Sequence, residues 1–191
     1  MAPLLLASQS PRRRKILGFA GIPFKVKKPV NVVEKRKKGE PPRHLVRRLA
    51  LEKATEISKR FPTSWVLGAD TMVVCGGDVF GKPRTRQEAR EMLLRLQGRS
   101  HNVWTGTALV GKGGDWARRY AEKTKVFFGK IPAVELEDYL NSKEPYDKAG
   151  AYDIQGTARG WIQKWEGDYF NVLGLPLQWV VREINRLKEP G

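Results

Sequence analysis

The sequence predicts an α/β fold in which helices flank a mixed β-sheet. In its first half, short apolar stretches alternate with helical patterns, as in strand–helix–strand units. The second half opens with two long stretches that alternate apolar and polar residues and closes with an amphipathic helical pattern. A hairpin combined with alternating strands and helices indicates a sheet containing both parallel and antiparallel strands.

The individual elements follow from periodicity, turn residues and prolines. We predict helices beginning at Pro11 and at Pro41–Pro42, a helix over 88–96, one from Ile131–Pro132 to Leu140, and a last one from Gly174–Pro176 to Leu187. The predicted strands cover 4–7, 23–34, 65–74, 101–110, 116–128, 161–165 and 170–173. Residues 144–156 form a long polar loop, and loops of this length in a compact domain are usually functional.

The first strand-to-helix turn carries an electrostatic conflict. Ser10 can cap the helix that begins at Pro11, yet Arg12–Arg14 follow in its first turn, where the helix dipole favours acidic residues. Free backbone N–H groups, two serine hydroxyls and arginine side chains at one helix end suit a phosphate or oligophosphate. The alternative is a solvated basic face beside an ordinary serine cap.

The strand over 65–74 is apolar on both faces except at Asp70 and Thr71. An unpaired carboxylate in a buried strand costs several kcal/mol, so Asp70 requires a cation, a metal or an opening into a cleft. Catalysis is one reason for such a placement. The alternative is a structural Asp70 that accepts hydrogen bonds from backbone amides.

Composition limits the class of protein. A chain of 191 residues with 40% hydrophobic content suits one domain or two small lobes sharing a cleft. No run of 18 apolar residues is present, so we expect no membrane span. The single cysteine, Cys75, excludes an internal disulfide, and two separated histidines do not form a zinc site. We therefore expect a soluble protein of a reducing compartment, the cytoplasm.

The formal net charge of +16 implies polyanionic partners, but it does not choose among nucleotides, nucleic acids and acidic surfaces. We interpret Lys35–Lys38 as a solvated face. The six tryptophans are scattered, so nucleic acid is expected to bind weakly if at all. The spacing of Gly76 and Gly81–Lys82 is similar to that of a P-loop, but Pro83 occupies the position where Ser or Thr should hold magnesium. We therefore do not predict a P-loop.

Six motifs in order resemble those of the Maf family of nucleoside triphosphate pyrophosphatases, nearly from end to end of the chain. They are Ser8–Arg13, Gly68–Thr71, Gly81–Pro83, Lys148–Tyr152, Ile154–Gly156 and Gly174–Leu177. The resemblance implies one domain over 1–191 with two lobes, a strongly curved mixed sheet and a cleft between the lobes. It also implies a homodimer, and hydrolysis of a nucleoside triphosphate to monophosphate and pyrophosphate with a divalent cation, Mg²⁺ or Mn²⁺.

The same resemblance assigns residues to roles. Asp70 matches the family's proton acceptor, and polar cleft positions match Ser8, Arg13, Glu34, Lys53 and Lys82. We add Ser10 to the phosphate-binding set because it caps the first helix. The three positions that determine substrate specificity in the family match Arg12, Thr71 and Gln155. The loop motif around Gln155 resembles the branch of the family that acts on dTTP and UTP, although Asp153 stands where that branch has glycine.

These roles agree with the chemistry of the residues. Arg12, Arg13, Lys53 and Lys82 could neutralise a triphosphate, while a metal held by Asp70 and Glu34 bridges phosphate oxygens. Asp70 could act as base or as metal ligand. Gln155 offers a donor and an acceptor to a pyrimidine edge. Two alternatives are a basic nucleic-acid-binding protein without hydrolase activity and a Maf-like enzyme with another nucleotide preference, such as modified nucleotides.

Overall fold

A computed structural model describes residues 4–187 of the chain. Within these residues, seven strands form one sheet in the order β2-β1-β3-β5-β6-β7, and β4 pairs with β3. The strands are β1 (Leu4–Ala7), β2 (Phe24–Lys27), β3 (Val66–Cys75), β4 (Asp78–Phe80), β5 (Ser100–Gly111), β6 (Trp116–Phe128) and β7 (Ile162–Glu166). The β1 strand is parallel to β2 and β3, whereas the β3–β4 and β6–β7 pairs are antiparallel. The predicted mixed-sheet α/β class is confirmed.

The helices are α1 (Pro11–Phe19), α2 (Pro42–Arg60), α3 (Arg86–Leu96), α4 (Ala133–Asn141), α5 (Tyr169–Val172) and α6 (Leu177–Arg186). Predicted helix starts at proline agree with α1 and α2. The α3 helix begins two residues earlier than its apolar pattern because Thr85 Oγ1 accepts a hydrogen bond from Glu88 N at 3.1 Å. None of the described helices is both long and apolar enough to cross a membrane.

The chain divides into two compact units. Of the described residues, the first unit comprises 4–70, Thr105–Glu122 and 173–187, and the second comprises Thr71–Trp104 and Lys123–Val172. In the first unit, α2 supplies Ala50, Ala54 and Ile57 to a core that also contains Leu5 and Val66. In the second unit, Tyr139 of α4 contacts Trp161 edge to face at 5.0 Å.

Two predicted strands differ from the structure. The prediction of a strand over 170–173 was wrong, because α5 covers Tyr169–Val172. Asp168 Oδ1 accepts a hydrogen bond from Phe170 N at 2.7 Å, and such a local acceptor favours a helical turn over a ladder. The strand predicted over 23–34 ends at Lys27. Beyond Pro29, Val30 N donates to Glu56 Oε2 of α2 at 2.8 Å instead of continuing a strand.

Candidate functional site

The turn between β1 and α1 has the predicted geometry. Ser10 caps α1, and its Oγ accepts a hydrogen bond from Arg13 N at 3.5 Å. Pro11 occupies the first helical position, and the first turn contains no acidic residue. The partial positive charge of this helix end is therefore reinforced by arginines, which makes it a position suited to an anion.

Arg13 is held by residues from both ends of the chain. Its Nη1 donates to Ser8 Oγ at 3.0 Å, and its Nε donates to the carbonyl oxygen of Gly174 at 2.8 Å. Burial lowers the pKa of Arg13 to about 10, and the negative charges of Asp70 and Glu34 oppose this effect. The Gly174–Leu177 motif was identified from the sequence. That the Gly174 carbonyl accepts a hydrogen bond from Arg13 and so orients it was not predicted.

Lys53 joins the two acidic residues of the predicted site. Its Nζ lies 2.5 Å from Asp70 Oδ1 and 2.5 Å from Glu34 Oε1. The Asp70 and Lys53 side chains are only 10% and 11% exposed, whereas that of Glu34 is 60% exposed. The compensating cation that a buried Asp70 requires is therefore present, and it is Lys53. The family resemblance had assigned Lys53 to the polar positions of the cleft, but its pairing with both carboxylates was not predicted.

Asp70 experiences opposing effects on its acidity. Burial of the carboxylate raises its pKa above the ordinary value, and Glu34 adds to this rise. The charges of Lys53 and Arg13 and the hydrogen bond from Lys53 act in the opposite direction. A carboxylate whose basicity is increased by burial, yet which is held by a fixed ammonium, is suited to accepting a proton.

The residues that could hold a divalent cation are Asp70 and Glu34. Both carboxylates contact the Lys53 ammonium, which places their oxygens near one another. Hard oxygen donors suit Mg²⁺ and Mn²⁺. Residues 4–187 contain no group of three or more His, Cys, Asp or Glu that could hold a metal. The donor type therefore fits, with the remaining ligands left to water and phosphate oxygens.

The second unit carries the other predicted residues, Thr71, Lys82 and Gln155. Thr71 is half-buried, whereas Lys82 and Gln155 are exposed. The carbonyl oxygen of Gly81, directly before Lys82, accepts a hydrogen bond from Gly150 N at 2.9 Å. This bond ties the segment of Lys82 to the loop that carries Gln155.

The loop over 144–156 is not irregular, because short 3₁₀ helices at Pro145–Asp147 and Ala149–Ala151 organise it. Glu144 Oε1 accepts a hydrogen bond from Thr157 N at 3.0 Å, and a Cβ at Gly156 would lie only 1.7 Å from that oxygen. A side chain at position 156 would therefore displace the Glu144 carboxylate from its hydrogen bond with Thr157. Ala151 is buried with a φ of 63°, a backbone conformation that costs of order 1–3 kcal/mol for a residue with a side chain.

Tyr152 connects this loop to β5. Its hydroxyl lies 2.7 Å from His101 Nε2, and both residues are buried beside Phe128. Burial lowers the pKa of His101 to about 4, so the imidazole is neutral at pH 7. The sequence placed His101 correctly at the start of a strand, but nothing local to it indicated a partner 51 residues away.

The buried His101 predicts a loss of stability in acid. Below its ordinary pKa of 6.5 the unfolded chain binds a proton that the folded protein excludes until about pH 4. The free energy of unfolding should therefore fall by up to about 1.4 kcal/mol per pH unit across that window. In urea titrations from pH 7 to pH 4, His101→Gln should lose less stability than the parent. The exposed His44→Gln is the control, and equal slopes in all three proteins would contradict the prediction.

Comparison with known proteins gives the family. A profile described as Maf-like protein matches residues 3–187. The chain belongs to the Maf family. A dTTP/UTP pyrophosphatase of Geobacillus sp. (strain WCH70) is 44% identical over 98% of this chain and 99% of its own. A protein of the same name from Symbiobacterium thermophilum is 48% identical over 100% of this chain and 96% of its own.

Two solved structures have a fold similar to that of this chain, although their sequence identity to it is low. A HAM1 protein from Coxiella burnetii superposes with a TM-score of 0.54 at 14% identity, covering 97% of this Maf-family chain and all of that protein. The Ham1 protein of Staphylococcus aureus gives a TM-score of 0.51 at 13% identity, over 98% of this chain. At such low identities these likenesses concern the fold alone.

Proposed function

We propose that this protein is a nucleoside triphosphate pyrophosphatase that hydrolyses dTTP and UTP to the monophosphate and pyrophosphate. The observation that carries the proposal is the placement of Lys53 between the buried Asp70 and Glu34, in the unit that also contains the Arg13-bearing helix end. The names of the full-length relatives support the same reaction and the same substrates.

The phosphates of the substrate are assigned to the cationic groups. Ser10 and the N–H groups of α1 attract an anion, and Arg12 and Arg13 supply guanidinium donors. Arg13 needs little reorganisation because Ser8 and Gly174 already orient it. The family resemblance assigns the ammonium of Lys82 to the phosphates as well. Together these groups stabilise the charge of pyrophosphate as it leaves.

Asp70 is assigned as the acceptor of the proton from the attacking water. Its burial strengthens it as a base, and Lys53 holds its carboxylate in one position. Asp70 and Glu34 are the side chains that would hold Mg²⁺ or Mn²⁺. When bound, such a cation neutralises phosphate charge and lowers the pKa of a coordinated water. A metal-ligand role for Asp70 remains the alternative to that of base.

Gln155 is assigned to the edge of the pyrimidine. It is exposed at the end of a loop whose backbone is fixed on both sides, by Tyr152 and by Glu144. Gln155→Ala should raise KM for dTTP and UTP by about 3- to 10-fold, the effect of one lost hydrogen bond of about 0.5–1.5 kcal/mol. The exposed Gln163→Ala is the control. An equal rise in KM for dTTP, UTP and dGTP would show that Gln155 does not recognise the base.

The proposed reaction is tested by measuring pyrophosphate release from dTTP, UTP, CTP, dGTP, ATP and methylated pyrimidine triphosphates, with magnesium or manganese. Preferential turnover of dTTP and UTP is the expected result. Turnover of methylated nucleotides above all others would indicate a different substrate preference. Absence of turnover with every nucleotide would contradict the proposal and favour a binding protein on this fold.

A further inference from the structure

A groove of about 950 Å³ lies outside the residues assigned to the reaction. One wall is the segment that follows β2, and the other is the face of α2 that includes Leu51, Thr55 and Lys59. Within residues 4–187, six basic and two acidic side chains line it, so its net charge is strongly positive. We call it the basic groove, and its exposed lysines are Lys35, Lys37, Lys38 and Lys59.

The wall that carries three of these lysines is anchored to α2 at both ends. At one end Val30 N donates to Glu56 Oε2 at 2.8 Å. At the other, Arg48 donates to both oxygens of Glu40, at 2.8 and 2.7 Å, and to the carbonyl oxygen of Lys35 at 3.0 Å. The bond from Arg48 lowers the pKa of Glu40 to about 2. The segment is thus held against α2 rather than free in solvent.

This anchoring is difficult to reconcile with a purely solvated face. Four consecutive basic residues repel one another, and a loop with no function for them would relax by extending into water. Here the carboxylates in and beside the groove pair with arginines and with backbone N–H groups of the segment, whereas Lys35, Lys37, Lys38 and Lys59 form no ion pair with another described residue. Their charge remains available to a ligand in the groove.

We propose that the basic groove binds single-stranded nucleic acid through its phosphodiester backbone. Exposed lysines on an anchored backbone, set along a groove, suit the repeated charges of a single strand better than they suit a flat membrane surface. The aliphatic side chains of Val33 and Leu51 line the same groove and offer contact to sugars and base edges. Because none of the described residues that line it is aromatic, binding is independent of base sequence and depends strongly on salt.

The test is fluorescence anisotropy with a labelled single-stranded RNA that carries a 5′-hydroxyl, so that no triphosphate is offered to the reaction site. The groove variant combines Lys37→Gln, Lys38→Gln and Lys59→Gln. The control variant combines Lys125→Gln, Lys130→Gln and Lys143→Gln, which removes the same charge from exposed positions of the second unit. Melting temperature and dTTP turnover establish that both variants are folded and active.

The expected result is specific to the groove variant. Loss of three phosphate contacts should reduce the slope of log K against log salt by about 2, since each contact contributes about 0.7 for a single strand. The control variant should keep the parental slope. Equal weakening of both variants would overturn the proposal in favour of attraction by net charge alone. Tighter binding of poly-glutamate than of RNA of equal charge would overturn it in favour of an acidic protein ligand. Neither outcome depends on the pyrophosphatase reaction, whose turnover is measured separately.

Discussion

Replacing Asp70 with asparagine should lower kcat for dTTP about 10²- to 10⁴-fold, the usual contribution of a positioned general base. Asparagine has nearly the same shape but cannot take a proton from water. The fold should survive, because the carboxylate of Glu34 also lies 2.5 Å from Lys53 Nζ and continues to compensate the ammonium when Asp70 loses its charge. Loss of turnover with an unchanged melting temperature is therefore expected.

A matched control is Asp78→Asn on the neighbouring strand β4. Asp78 is exposed and pairs with Arg95, so its neutralisation removes the same charge without touching the proposed site. It should retain parental kcat. If Asp70→Asn keeps more than a tenth of the parental kcat, the proton acceptor must be sought elsewhere. If it instead loses metal affinity as strongly as it loses rate, the ligand role is favoured over the base role.

Those parts of the site that depend on local structure could be predicted from the sequence. The cap at Ser10 and the start of α1 at Pro11 depend only on neighbouring residues, and both were predicted. The need for a cation beside Asp70 was also predictable, because it follows from placing a carboxylate in an apolar strand. Its identity was not predictable. Lys53 reaches Asp70 only because of how α2 lies against β3.

Other features depended on contacts between residues far apart in the chain. The hydrogen bond from Arg13 to the Gly174 carbonyl spans 161 positions, and no periodicity encodes it. The strand over 170–173 was predicted because its aromatic and β-branched residues have strand propensity. This prediction was wrong for a local reason. The carboxylate of Asp168 prevailed over that propensity by capping the turn. The side chain of Asn171 is then buried, where it donates to the Val103 carbonyl at 3.1 Å.

Gly68→Ala should be among the most destabilising single substitutions in the chain. A Cβ at Gly68 would lie 2.2 Å from the carbonyl oxygen of Ala50 and 2.9 Å from the Cβ of Ala54, so the obstacle is the backbone of α2 rather than a mobile side chain. Overpacking typically costs about 1–3 kcal/mol and occasionally more, and a backbone obstacle places this substitution at the upper end, about 3 kcal/mol or more. At about 2–4 °C per kcal/mol, calorimetry should show a melting temperature lower by at least 6–12 °C.

The control for this prediction is Gly18→Ala, which has the opposite expected sign. Apart from its chain neighbours and the backbone of its own helix, no described atom lies within 4 Å of a Cβ at Gly18. The residue is inside α1, so alanine should stabilise the protein by about 0.5–1 kcal/mol. Parental stability of Gly68→Ala would show that α2 does not approach β3 as closely as described.

The same substitution tests how the site is assembled. Gly68 is two residues from Asp70 on β3, and Lys53 lies on α2 between the two alanines that the new Cβ would meet. Moving the helix away from the strand lengthens the path from Lys53 to Asp70, and a displacement of about an ångström would take the 2.5 Å contact beyond the usual hydrogen-bond range. The folded fraction of Gly68→Ala should therefore also have reduced kcat. A destabilised variant with full kcat would show that the placement of Lys53 does not depend on the packing of α2 against β3. Loss of both stability and kcat would show that Gly68 sets the distance between Lys53 and Asp70 on which the proposed chemistry depends.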